Sequence, residues 1–152
     1  MKYISDEDKM RVALDEARKA RDIDEVPVGA AIFDKDDNLI CANHNRRELD
    51  QNPISHAEIL VLEEASKILG TWRLEEATIV VTLEPDTMCA GAIVNARIRK
   101  LIYAAPNLKA GAAYSLYNIP QDPRLNHHID IMDSVLANLS ENLITEFFKS
   151  RR

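Results

Sequence analysis

The chain has 152 residues, 46% apolar and 29% charged, with few Gly and Pro, which predicts one domain (1–152) with a core large enough to fold unaided. No apolar run approaches the roughly 18 residues that cross a bilayer, so a disordered chain and a membrane-spanning one are both excluded. The net charge of −6 argues against a generally basic nucleic-acid-binding surface. That charge is uneven: seven basic and eleven acidic residues run from Met1 to Asp37, against eight basic and five acidic from Met88 to Arg152. A local basic patch therefore stays open. The opening residues carry acids where a secretory signal needs an apolar core, so the expected location is the cytoplasm. Two cysteines, Cys41 and Cys89, cannot build a disulfide framework.

In chain order, residues 5–21 place Met10, Val12, Ala13, Leu14 and Ala17 near a 3.6-residue period behind the N-cap candidate Ser5, which predicts an amphipathic helix. VPVGAAIF (26–33) and LICANHN (39–45), joined by the polar DKDDN, read as a strand hairpin. A second helix is predicted over 56–69 with Gly70 as its stop, then a short buried strand from Ala77 to Leu83. A third helix follows over 85–96, with Pro accepted in its first turn. A strand over 100–105, a loop over 107–111 and a short strand from His128 to Met132 come next. The closing helix spans 134–149, with Leu136, Leu139, Leu143, Phe147 and Phe148 inward. Alternating strands and helices with one hairpin predict an α/β fold, a three-layer α/β/α sandwich on a mixed sheet.

Two strand-to-helix junctions concentrate the chemistry: His56-Ala57-Glu58, and Glu84-Pro85-Asp86-Thr87-Met88-Cys89. Helix N-termini stabilise carboxylate and thiolate. Residues three apart share a helix face, so Asp86 and Cys89 can aim at one point, and His56 would complete a three-ligand cluster. Three protein ligands with a fourth position open is the pattern of catalytic zinc. Glu58, two residues past the His, would then be free to carry protons for an activated water. Each residue also has a structural reading. His56 packs or caps a helix start, and Glu58 or Asp86 serves as an ordinary first-turn acid. Cys89 would be a small buried hydrophobe and Asn45 a turn residue. Cys41 reads as core, His44 as a strand-end surface residue. His127 and His128, adjacent in extended chain, face opposite ways and make no site by themselves.

His-Ala-Glu at 56–58 and Cys89, together with VPVGA (26–30), Asn45, WRL (72–74), TLEP (82–85), MCAGA (88–92), the GAA…SL run (111–116), LNH (125–127) and FF (147–148), resemble the bacterial tRNA adenosine deaminases of the cytidine deaminase superfamily. The resemblance covers nearly the whole chain. It implies a cytidine-deaminase-like fold, one Zn2+ per chain on His56, Asp86 and Cys89, Glu58 as catalytic proton shuttle, and conversion of wobble adenosine to inosine in a tRNA anticodon loop. It further implies base recognition by Asn45, a ribose contact by Asn107, a backbone contact by Ala57, and a homodimer. Arg97, Arg99, Lys100, Lys109, Lys149, Arg151 and Arg152 are candidate phosphate contacts.

Asp86 departs from that family's pattern, which has Cys there. Carboxylate keeps the formal charge but is a harder donor, so weaker or less selective metal retention is expected. Two other functions are compatible with the residues: a free nucleobase or nucleoside (guanine-type) deaminase, and a metal-impaired RNA-binding homologue without catalysis.

Overall fold

The computed structural model describes residues 5–151. Helix α1 (Asp6–Asp22) starts at Ser5, whose side chain accepts from Asp8 N. Strands β1 (Gly29–Phe33) and β2 (Leu39–His44) form the hairpin, and α2 (Ala57–Leu69) ends at Gly70 with φ 68°, the left-handed stop glycine favours. Strand β3 (Thr78–Leu83), helix α3 (Thr87–Asn95), strands β4 (Lys100–Ala105) and β5 (Asp130–Met132), and helix α4 (Ala137–Lys149) complete the chain.

The sheet runs β2-β1-β3-β4-β5. Strand β1 pairs antiparallel with both β2 and β3, while β3–β4 and β4–β5 are parallel, giving the expected mixed sheet. Period-two alternation sorts the core into two layers. Ala30, Ile32, Ile79, Val81 and Leu101 face Ala57, Val61, Ala65 and Ile93 of α2 and α3. Ala31, Phe33, Val80 and Ile102 face Met10, Leu14 and Ala17 of α1 and Leu143 of α4. This is an α/β/α sandwich. No helix among the described residues is long and apolar enough to cross a membrane.

Several boundaries differ from the sequence reading. Strand β1 begins at Gly29 rather than at residue 26, because Val28 N turns back onto Val26 O. Helix α3 begins at Thr87, with Asp86 as its cap. Helix α4 begins at Ala137 after the left-handed Leu136, and its buried stripe is Ser140, Leu143 and Phe147. Leu139 and Phe148 are exposed. Within the buried stripe the Ser140 hydroxyl donates to Thr82 O at 2.5 Å and Leu143 packs into the core, both holding this face of the helix inward.

Candidate functional site

The C-terminal end of β3, the N-termini of α2 and α3, and the Val26–Val28 turn meet at one end of the sheet, the place where open α/β folds build their sites. They enclose a cavity of about 150 Å3, lined by Val26, Val28 and Leu83 together with His56, Glu58 and Asp86 among others.

The strand-to-helix junctions deliver the predicted cluster. His56 stands at the N-cap of α2 yet makes no side-chain capping bond. Its Nδ1 lies 3.4 Å from Asp86 Oδ2 and 3.5 Å from Cys89 Sγ. The ligating atoms of His56, Asp86 and Cys89 all lie within 4.8 Å of one another, and among the described residues this is the one such group. Imidazole nitrogen, carboxylate oxygen and thiolate sulfur are all accepted zinc donors, so the residues present fit a divalent cation. Asp86 also caps α3: its Oδ1 accepts from Cys89 N at 2.9 Å, so the cap reading and the ligand geometry hold together on one carboxylate.

Glu58 is almost fully buried beside this group. Burial, helped by the negative charge of Asp86, pushes its carboxyl up to about 7, against the opposing pull of a backbone amide and of Cys89. Burial likewise pushes the Cys89 thiol up, as do the charges of Glu58 and Asp86. Carboxylates and a thiol crowded in a low-dielectric pocket disfavour one another's ionisation, and a bound cation is what reverses that order.

Asn45, Asn107 and Ala57 all line the cavity. The Asn45 amide is part of the fold as well: its Nδ2 donates to Val26 O at 3.3 Å and its Oδ1 accepts from Arg47 N at 3.1 Å, a local turn bond of the kind Asn makes readily. Asn107 Oδ1 accepts from Ala110 N at 3.2 Å, a local turn bond in the loop after β4.

Sequence reasoning missed two buried carboxylates that hold the rim. Glu84 accepts from the backbone of Asn107, Ala113, Tyr114 and Ser115 and from the Ser115 hydroxyl. Burial alone would push it up, but the Ser115, Tyr114 and Asn107 donors outweigh burial and hold it below the ordinary carboxylate range. Gly111 is required beneath it, since a Cβ there would sit 2.4 Å from the Glu84 carboxyl. Glu25 accepts from Glu48 N and Leu49 N at 3.1 and 2.7 Å. No local pattern marks either acid, because the groups they accept from lie 23 to 31 residues away.

Cys41 is core, its thiol donating to Val61 O. His127 bonds to Ile98 O, at the far end of β4 from the pocket. The candidate phosphate contacts separate. Arg97, Arg99 and Lys100 lie at that same far end, with Lys100 near Asp6 at 3.7 Å, and do not face the site. Lys109, Lys149 and Arg151 line a second cavity with Phe148, of about 820 Å3, although Arg151 also pairs with Asp24. Arg152 lies outside the described residues.

Residues 4–152 match the MafB19-like deaminase family. A tRNA-specific adenosine deaminase of Bacillus subtilis is 44% identical over 97% of this chain and 91% of its own length. The protein of the same name from Haemophilus influenzae is 40% identical over 97% and 85%. A structure from a study of A-to-I editing by tRNA:A34 deaminases at the wobble position of transfer RNA superposes with a TM-score of 0.85, at 40% identity over 89% of this chain and 97% of that one. Guanine deaminase from Nitrosomonas europaea shares the fold with a TM-score of 0.81, at 25% identity over 97% and 86%.

Proposed function

The chain belongs to the MafB19-like deaminase family and stands among its tRNA-specific adenosine deaminases, and from that membership we propose that it hydrolyses wobble adenosine in a tRNA anticodon to inosine. The observation that carries the reading is the convergence of His56, Asp86 and Cys89 on one point beside the buried Glu58.

His56 Nδ1, an Asp86 oxygen and Cys89 Sγ would hold one zinc ion per chain, which when bound supplies the Lewis acidity that makes water a nucleophile near neutral pH. Glu58 carries the first proton of the attacking water to the purine ring nitrogen and the second, from the hydroxyl left on the ring carbon, to the departing amine, so that adenosine and water become inosine and ammonia. A buried carboxyl that stands beside the cluster without belonging to the ligand set can both accept and give a proton there. Asn45 offers the purine what remains of its amide donor and acceptor capacity. The Ala57 N–H, at the start of α2 and without an intrahelical partner, is a second donor. Asn107, on the pocket wall, would contact the ribose. An anticodon loop already exposes its bases, so extruding one costs little. Lys109 and Lys149, beside the exposed Phe148, offer phosphate and stacking contacts to the rest of the loop.

The apolar groove of Ile59, Leu62, Trp72, Ala92 and Ala96 between α2 and α3 supports a homodimer, and a tRNA substrate carries a cytoplasmic location with it. The Nitrosomonas neighbour keeps a guanine deaminase as second reading, disfavoured by the 40–44% identity to the tRNA-acting relatives. The test is incubation of metal-loaded protein with an anticodon hairpin bearing wobble adenosine, with free guanine and adenosine in parallel. Inosine in the hairpin supports the reading. Product only from guanine overturns it, and no product from any arm leaves the non-catalytic homologue.

A further inference from the structure

We propose that Arg47 binds the phosphodiester of the nucleotide whose base enters the pocket, an inference that rests on the RNA reading above. The pocket is walled by three carboxylates, Glu58, Glu84 and Asp86, and among the described residues Arg47 is the one Lys or Arg that lines it. A polyanion approaching a chain of net charge −6 needs a local cation at this mouth, and a guanidinium matches phosphate oxygens in a planar, two-pronged geometry.

The arginine is placed for that contact and not otherwise committed. Its side chain is 50% exposed, and its ion contact is a loose one, Nε to Glu48 Oε1 at 3.9 Å. The neighbouring Arg46 differs: it is held to Asp50 by three contacts of 3.1–3.2 Å. The backbone beneath Arg47 is fixed on both sides. Its N–H donates to Asn45 Oδ1, its carbonyl accepts from Asn52 N at 3.1 Å, and the next two amides are gripped by the buried Glu25. A long side chain on a rigid root loses less freedom on binding than one on a mobile loop.

Arg47 and Val26 also line a second cavity, of about 610 Å3, with Ile23, Leu49 and Phe147. The two cavities therefore meet at Arg47. A base in the inner pocket and a neighbouring nucleotide in the outer one would leave their shared linkage at the guanidinium. The other cation of the outer cavity, Arg151, is engaged with Asp24 and lies 3.9 Å over the Phe147 ring.

The experiment pairs Arg47→Gln with an anticodon hairpin whose linkage on either side of the wobble adenosine is made a neutral methylphosphonate. For the natural hairpin, Arg47→Gln is expected to raise KM about tenfold with kcat within twofold. It should also make the logarithmic salt dependence of binding shallower by about 0.7, the release expected for one contact to a single strand. Arg47→Lys should recover part of the loss. One of the methylphosphonates should weaken binding to the unaltered protein while changing nothing further in Arg47→Gln, the non-additivity that marks a direct contact. Equal binding of the natural hairpin by both proteins, or full additivity of the two changes at both linkages, overturns the assignment of Arg47 alone. Failure of the unaltered protein to bind or deaminate the hairpin removes the RNA reading and this inference with it.

Discussion

The two oxygens of Asp86 face different partners. Oδ1 accepts from Cys89 N and starts α3, while Oδ2 turns toward His56. Substitutions therefore separate the two roles. Asn caps a helix as well as Asp but brings no charge to a cation, whereas Cys supplies a thiolate but is a poor cap. Asp86→Asn should leave the metal-free protein within a few tenths of a kcal/mol and lower its metal affinity at least tenfold. Asp86→Cys should cost the metal-free protein about 1 kcal/mol and hold zinc at least as tightly. Denaturant melts without metal and competitive zinc titration measure the pair, and parallel behaviour of the two variants would contradict the shared role. Glu58 gives a cleaner separation, because its carboxylate makes no part of the proposed ligand set. Glu58→Gln should lower single-turnover inosine formation by roughly 100- to 10,000-fold with zinc content unchanged; loss of zinc in step with activity would make Glu58 a ligand instead.

At the scale of elements, the site depends on how closely helices approach the sheet. A Cβ on Gly29 would sit 2.0 Å from Ala13 O and 2.6 Å from Ala17 N, backbone atoms that yield only if α1 moves off β1. Gly29→Ala should destabilise by on the order of 2–3 kcal/mol, read from chemical denaturation, with zinc stoichiometry retained in the folded fraction. Unaltered stability would show that α1 packs more loosely than described. The same closeness explains what could be read in advance. Asp86 and Cys89 are brought to one side of the α3 start by their spacing of three, and His56 and Glu58 announce a helix start, so the cluster that could hold a metal was legible from local pattern. Glu84 and Glu25 were not, because their partners lie 23 to 31 residues away and nothing local marks an acid as the hub of a distant loop. Helix α4 shows a third case. Its apolar residues fit two overlapping stripes, and the long-range bond from Ser140 to Thr82 O, together with the packing of Leu143 into the core, goes with the one that leaves Leu139 and Phe148 outside.

Across the whole molecule, charge and apolar surface divide by face. Acidic groups crowd the pocket, Lys109 and Lys149 flank a cavity near α4, and Arg97, Arg99 and Lys100 gather at the opposite end of β4. The α2–α3 face keeps Trp72 55% exposed over an apolar groove, a patch of the type that marks protein contacts. Light scattering should give twice the monomer mass, and Trp72→Glu should give the monomer; a monomer at high concentration in the unaltered protein would contradict that interface. Everything catalytic rests on the cation that His56, Asp86 and Cys89 would share. Elemental analysis of protein loaded with zinc and then freed of excess by gel filtration addresses it most directly. One equivalent per chain, lost in His56→Ala and in Cys89→Ala while both stay folded, is the result expected. A folded, unaltered protein that retains no zinc would contradict it.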